Sequence, residues 1–258
     1  MNEGAVSVTD RRAEGRAVSL VIPAKDQARN LPLVLPFLPD GLQEVILVDG
    51  GSADNTIGVA RRLYPTIKVI GQTGMGRGNA AACGFAEATG EFIVMLNPDG
   101  SDDPADISQF IDALEAGADF AKPSRYLPVT GGAGGGRVHR LGDVLLNKAS
   151  NAYYGLNFTD TCRGPIAFRR HCLDGLNPTA DRGSAMPWGG GYELETVLTV
   201  RAVRARLRIV EVLSHQRRRT WGDSSLDYFS DWTRMIQACQ RELRAAGRAA
   251  PLIRSGGS

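Results

Sequence analysis

Histidine and cysteine are scarce in this chain, at 3 and 4 among 258 residues, and their scarcity narrows the chemistry. Of the histidines, His215 alone lies beside other reactive residues, next to Arg217, Arg218 and Arg219, so any proton transfer is expected of carboxylates rather than imidazole. Cys83, Cys162, Cys172 and Cys239 are scattered without C-x-x-C spacing, which points to reduced thiols in a cytoplasmic protein rather than disulfides or zinc. No uninterrupted apolar stretch approaches the roughly 18 residues that a membrane span needs. The opening Met1–Arg16 is polar and reads as a loose arm, not a targeting segment. A net charge of only +2 lacks the electrostatic footprint of a nucleic-acid binder. A Walker A lysine motif, a His-rich metal cluster and a G-x-S-x-G elbow are missing too, which takes support from kinase, zinc-hydrolase and α/β-hydrolase readings.

What is present is organised. Leu20–Asp26, Leu47–Thr56 and Ile93–Ser101 are apolar, β-branched runs that end abruptly in turn residues and carboxylates. Buried parallel strands deliver polar groups to the carboxyl edge of a sheet in this way, and ligands of open α/β sheets bind at that edge. Strands are expected at 17–22, 45–48, 67–70, 91–96 and 118–121. Helices are expected at 54–64 with Ser52 or Asp54 as cap, at 79–88, and at 105–115 behind Pro104, with a short Pro-broken helix after Asn30. The glycine-rich run Thr130–Gly136 reads as a mobile loop, and further elements are expected at 141–154 (helix), 166–169 (strand), 192–204 (helix) and 207–212 (strand). The alternation predicts an α/β fold with a doubly wound, mostly parallel sheet over residues 17–225. An arm over 1–16 precedes it, and an amphipathic helix and tail over 226–258 follow, with Leu226, Phe229, Trp232, Met235, Ile236, Cys239 and Leu243 on one stripe.

Asp99 ends a buried run in a turn with Gly100 and Ser101, as a hard Mg²⁺ or Mn²⁺ ion would want. Asp102 and Asp103 immediately precede Pro104, where capping is the default reading. Gly74–Asn79 has G-x-G-x-G spacing, not the dinucleotide fingerprint, and is read as a flexible loop carrying Arg77 towards a phosphate or base. The four arginines of 201–208 and the triple arginine at 217–219 suggest a local anion site or a solvated basic face.

Taken in order, VIPAKDQARNL, VDGGSADNT, GMGRGNAAACGFAEATGEFIVMLNPDGSDDP, GADFAKPSRY, TDTCRGPIAFRR and EVLSHQRRRTWGDSSL resemble the family-2 glycosyltransferases of the GT-A fold, and among them the dolichyl- or polyprenyl-phosphate mannose synthases. The resemblance runs from about Val18 to Leu226. It implies a nucleotide-sugar-binding half over 17–126 and an acceptor-binding half over 127–225. Pro23, Ala24, Asp26 and Asp49 would hold the base and ribose of the nucleotide sugar, with Asn97 and Asp99 also on the donor beside the loop residue Arg77, and Asp99 and Ser101 would hold the metal. Arg125 and Arg219 would grip diphosphate or an acceptor phosphate, a task suited to the bidentate guanidinium. The chain departs from the family pattern at Asn97, where the first Asp of DxD is usual, at Asp26 in place of Glu, and at Ser225 in place of lysine.

The expected reaction is an inverting transfer of a hexose from a GDP-mannose or UDP-glucose type donor to polyprenyl phosphate, with peripheral contact at the inner face of the membrane through 226–243. A hydroxyl acceptor on a soluble intermediate would need a base, for which Asp160 is favoured over Glu193 and Glu195; those two glutamates, at i and i+2 of a helix, point to different faces. A non-catalytic nucleotide-sugar binder is a further alternative. A nucleotidylyltransferase is disfavoured, because Pro23–Asp26 offers no glycine-rich loop.

Overall fold

The computed structural model describes residues 17–125, 127, 151, 158–160, 164–178, 193–214, 217 and 221. The glycine-rich run, the 141–154 helix (Asn151 apart), Arg219, Ser225 and the 226–243 stripe lie outside the described residues.

Strands β1 (Val18–Ala24), β2 (Glu44–Asp49), β3 (Lys68–Gly71), β4 (Phe92–Met95), β5 (Phe120–Ser124), β6 (Ile166–Arg169) and β7 (Ile209–Leu213) form one sheet in the order β3-β2-β1-β4-β6-β5-β7. β1 is parallel to β2 and β4, β2 to β3, and β5 to β7, while β6 runs antiparallel to both β4 and β5. The β-branched runs become strands because both faces of the sheet are covered. Leu20, Val21 and Ile22 are wholly buried, and each such side chain contributes about 1.5–3 kcal/mol of burial.

Alternation along β1 feeds two cores. Leu20 and Ile22 pack with Leu31, Val34 and Leu35, with α1 (Thr56–Leu63) through Val59 and Ala60, and with α3 (Ile107–Glu115) through Ile107, Phe110 and Leu114. Val21 packs on the other face with Ala80, Ala81 and Phe85 of α2 (Gly76–Glu87). On that face α5 (Glu193–Arg204) adds Leu194, Val197 and Leu198, and Phe168 stands edge-on to Phe85 with ring centroids 5.1 Å apart. A short helix α4 (Leu173–Leu176) follows the 3₁₀ turn Arg170–Cys172.

α2 owes its close seat on the sheet to Gly84, where an added Cβ would collide with Val21 and come within 3.0 Å of Val48. The Pro-broken segment after Asn30 forms two 3₁₀ turns, Leu31–Leu33 and Leu35–Phe37, rather than one helix, because Pro36 has no N–H to donate to the carbonyl four residues back. Among the described residues, no helix is long and apolar enough to cross a membrane.

The strand order reverses between β1 and β4. β2 and β3 extend the sheet on one side of β1, and β4 lies on the other. A crevice opens beyond the carboxyl ends of strands at such a switch point, and that is where Ala24 and Met95 deliver the chain.

Candidate functional site

The loops after β1 and β2 are laced together. Pro23 and Ala24 end β1 and are buried, and Ala24 accepts the Gly50 amide at 2.8 Å. The Asp49 carboxylate accepts the amides of Gly51 (3.1 Å) and Ser52 (3.2 Å) and the Ser52 hydroxyl at 2.5 Å. Ser52 Oγ in turn accepts the Asp26 amide at 3.0 Å. Asp26 adopts φ 53°, a left-handed conformation that its short polar side chain tolerates, and its carboxylate accepts the Ala53 amide at 2.7 Å. Asp54 accepts amides from Ala28 and Thr56, each at 3.0 Å, together with the Thr56 hydroxyl. Burial works against its charge, but the Thr56 hydroxyl and these amides outweigh it and hold the carboxyl below its ordinary range. The expected cap is not realised: α1 begins at Thr56 behind Asn55, whose side chain makes no capping bond, Asp54 accepts the Thr56 amide from one position further out, and Ser52 is committed to Asp49.

At the end of β4, Asp99 is 8% exposed. Its Oδ1 accepts the Ser101 amide at 3.0 Å and the Ser101 hydroxyl at 2.5 Å. Gly100 between them has φ 75°, a conformation that glycine adopts without strain. The Arg217 amide donates to the Ser101 carbonyl at 2.8 Å, and the Arg217 guanidinium to Asp103 at 2.5 Å. Asp103 caps the next turn by accepting the Ala105 amide. Asp102 does not cap. It turns inward, 3% exposed, and its Oδ2 accepts the backbone and side-chain N–H of Asn97 at 3.0 and 2.8 Å.

Arg77 corrects a sequence expectation. The glycine run does not leave it on a flexible loop, because α2 starts at Gly76 and Arg77 lies in its first turn. From there its guanidinium donates to both oxygens of Glu195 on α5, at 3.0 and 2.5 Å, and to Asn97 Oδ1 at 2.5 Å. Burial works against its charge, but Glu195, Asp102 and Asp99 outweigh it and hold the guanidinium above its ordinary value. Burial, reinforced by Asp99 and Glu195 and opposed by the Asn97 bonds, pushes the Asp102 carboxyl up to about 7. The neutral amide of Asn97 thus accepts from a cation on one side and donates to a carboxyl on the other.

Beyond β4, Arg125 donates to Asp160 through Nε (2.7 Å), Nη2 (3.2 Å) and its own amide (3.2 Å), and Asp160 is 1% exposed. The buried Lys122 ammonium donates to Glu211 at 3.1 Å and to the Asp160 carbonyl, fixing the segment that carries Asp160 against β5 and β7. The edge as a whole offers hard oxygen donors around a strand-end turn. Asp99 and Ser101, with buried Asp102 pushed up beside them, are a donor set suited to Mg²⁺ or Mn²⁺ rather than to a soft metal.

Residues 19–176 match the family described as Glycosyl transferase family 2, more than half of the chain. The chain belongs to that family. This glycosyltransferase is 32% identical over 212 residues to an uncharacterised glycosyltransferase of Mycobacterium tuberculosis, covering 82% of this chain and 90% of that one. It is 30% identical over 209 residues to the polyprenol monophosphomannose synthase of Mycolicibacterium smegmatis, covering 75% and 74%. In fold it is similar to the glucosyl-3-phosphoglycerate synthase of Mycobacterium tuberculosis in complex with Mn²⁺, uridine diphosphate and glucosyl-3-phosphoglycerate. The TM-score is 0.64 at 21% identity, over 88% of this chain and 80% of that one. The seven-stranded, mostly parallel sheet is that of the GT-A fold.

Sequence reasoning about this glycosyltransferase named Asn97 and Arg77 but not their joint partners. Glu195 entered as half of a helical pair, Asp102 as a cap, and Lys122 and Glu211 not at all. A lysine inside an apolar strand (Phe120–Ser124) was the available signal for the last pair, since a buried ammonium requires an anion.

Proposed function

We propose that the protein is an inverting, metal-dependent glycosyltransferase that moves a hexose from a nucleoside-diphosphate sugar to a polyprenyl phosphate. The observation that carries this reading is the Asp99–Ser101 turn at the β1/β4 switch point, set beside the Arg77–Glu195–Asn97–Asp102 cluster, in which Glu195 and Asp102 are buried. Pro23, Ala24, Asp26 and Asp49 hold the base and ribose, on loops made rigid by their mutual bonds. Arg77 and Asn97 line the donor side and fix the wall against which the sugar diphosphate lies. Arg125, oriented by Asp160, and Arg219 bind the diphosphate and the acceptor phosphate. A divalent ion on Asp99 and Ser101, when bound, offsets the charge of the leaving diphosphate.

In the transfer, the acceptor oxygen forms a bond to the anomeric carbon from the face opposite the diphosphate. The bond from that carbon to the diphosphate oxygen breaks, and its electron pair leaves with the diphosphate. A phosphate acceptor arrives ionised and has no proton to lose. This suits the site, because both oxygens of Asp160 already accept from Arg125 and those of Glu195 from Arg77. The sequence similarity to a polyprenol monophosphomannose synthase supports the same acceptor.

Calorimetric titration with GDP, UDP and dTDP, each with Mn²⁺ and with EDTA, tests the donor side, and a transfer assay onto polyprenyl phosphate tests the acceptor. One nucleotide is expected to bind with the ion and not in EDTA, and Asp99→Ala is expected to lower kcat/KM by about 10²–10³-fold. Binding of no nucleotide under any condition overturns the reading. Donor binding and hydrolysis without transfer to polyprenyl phosphate overturn its acceptor.

A further inference from the structure

The amino edge of the sheet, opposite Asp99, gathers a second set of ligating groups. Asp119 immediately precedes β5, and His171 and Cys172 lie in the 3₁₀ turn that follows β6. Because β6 runs antiparallel to β5, with Phe168 opposite Phe120, the end of β6 returns to the start of β5. The Asp119 carbonyl accepts the Arg169 amide at 3.0 Å and the Cys172 thiol at 3.5 Å. Asp119 Oδ2 accepts the Arg208 amide at 2.9 Å, which turns Oδ1 towards His171 Nε2, 3.7 Å away. One ligand atom from each of Asp119, His171 and Cys172 lies within 4.8 Å of the other two.

The 3.7 Å separation is too long for a hydrogen bond. It is close to what two donors on one ion require, since bonds of about 2.0–2.2 Å in a tetrahedral arrangement place nitrogen and oxygen roughly 3.3–3.6 Å apart. Cys172 is buried and supplies its sulfur from the protein side, whereas His171 is exposed and leaves the outer side open to a water ligand. Arg169 is the cation that faces the thiol, but Glu91 and the carbonyls of Leu114 and Ala118 engage its guanidinium at 2.7, 2.7 and 3.2 Å.

We propose that Asp119 Oδ1, His171 Nε2 and Cys172 Sγ form a three-ligand site for a borderline-soft divalent transition metal of the zinc type, distinct from the hard-donor site at Asp99. A thiolate, an imidazole and a carboxylate suit zinc and its cobalt stand-in, and not Mg²⁺. On binding, the Cys172 thiol gives its proton to solvent and its sulfur electron pair to the ion, while His171 binds as neutral imidazole. The site pins the start of β5 to the turn after β6, so an occupied site stabilises the folded chain. The linear spacing gave no C-x-x-C signature for it, because strand pairing brings residue 119 to residues 171–172.

The test is Co²⁺ titration of the full-length Asp99→Ala protein, whose carboxyl-edge ion site is disabled. Expected is a thiolate-to-cobalt charge-transfer band that saturates at one ion per chain and is erased by Zn²⁺. Cys172→Ser should abolish the band, and His171→Ala, at an exposed position that leaves the core intact, should weaken Zn²⁺ binding on the order of tenfold or more. No thiolate band, or a band that persists in Cys172→Ser, overturns the proposal, as does unchanged Zn²⁺ affinity in His171→Ala.

Discussion

Asp26, Asp49 and Asp54, at the ends of β1 and β2, have amides and hydroxyls for partners. Glu195, Asp160 and Glu211, on the other side of the crevice, are matched to Arg77, Arg125 and Lys122. The difference follows burial. Asp26 is exposed and Asp49 half-buried, so partial charges suffice to orient them, and solvent screens the rest. Asp160 and Glu195 are 1% and 4% exposed, where an isolated carboxylate would be costly, and each is matched by a full cation. One half of the edge is therefore held by many weak bonds to amides and hydroxyls, without a cation among those partners. The other is neutralised internally by a few strong pairs whose worth depends on both partners being present.

The sharpest way to break that contrast is Glu195→Gln, which takes the ion-pair partner from the partly buried Arg77 and leaves it Asn97 and the more distant Asp99 and Asp102. It should cost about 1.5–3 kcal/mol in urea unfolding, and Arg77→Met added to it should restore part of the loss. Asn97→Asp comes next. It removes the N–H that serves Asp102 and sets a second carboxylate against a carboxyl already pushed up to about 7. A loss of about 1–3 kcal/mol is expected in the ion-free protein, with Mn²⁺ returning part of it in a thermal melt. Ser52→Ala, in the other half, should cost only about 1 kcal/mol. If it costs as much as Glu195→Gln, the two halves are not held differently.

The smallest effect is expected with acid. For Glu44, burial raises the carboxyl, but the Ser19 hydroxyl and the Thr89 amide and hydroxyl outweigh it and lower it, as Thr56 and Ala28 do for Asp54. Both groups bind protons less readily folded than unfolded. Their contribution is present above the unfolded carboxyl range near about 4 and is lost as pH falls below it. Glu44→Gln combined with Asp54→Asn should therefore flatten the acid limb of urea midpoints measured from about pH 6 to pH 3.

The half held by local bonds is also the half that the sequence displays. Asp49, Ser52, Asp54 and Thr56 lie within one short segment, and the apolar runs before them mark β1, β2 and β4 to within a residue or two. The ion pairs are invisible for the opposite reason. Arg77 and Glu195 are 118 residues apart, and only the closing of α2 and α5 over one face of the sheet joins them. Asp102 resembles a cap because it stands before Pro104, and its inward turn depends on Asn97. Likewise α2 starts earlier than its alanine-rich stretch suggested, because Gly76 with φ 85° turns the chain directly into the helix.

Gly84 links these levels in a way that its size conceals. It sits seven residues, or about 10 Å, along α2 from Arg77, and it has no functional group at all. Yet the hydrogen atom in place of a methyl sets how deeply the helix beds against Val21 and Val48. The depth of that bed acts as a gauge block for the guanidinium at the other end. A single added carbon there would lift the helix, and the error would be read as a displaced charge in the crevice.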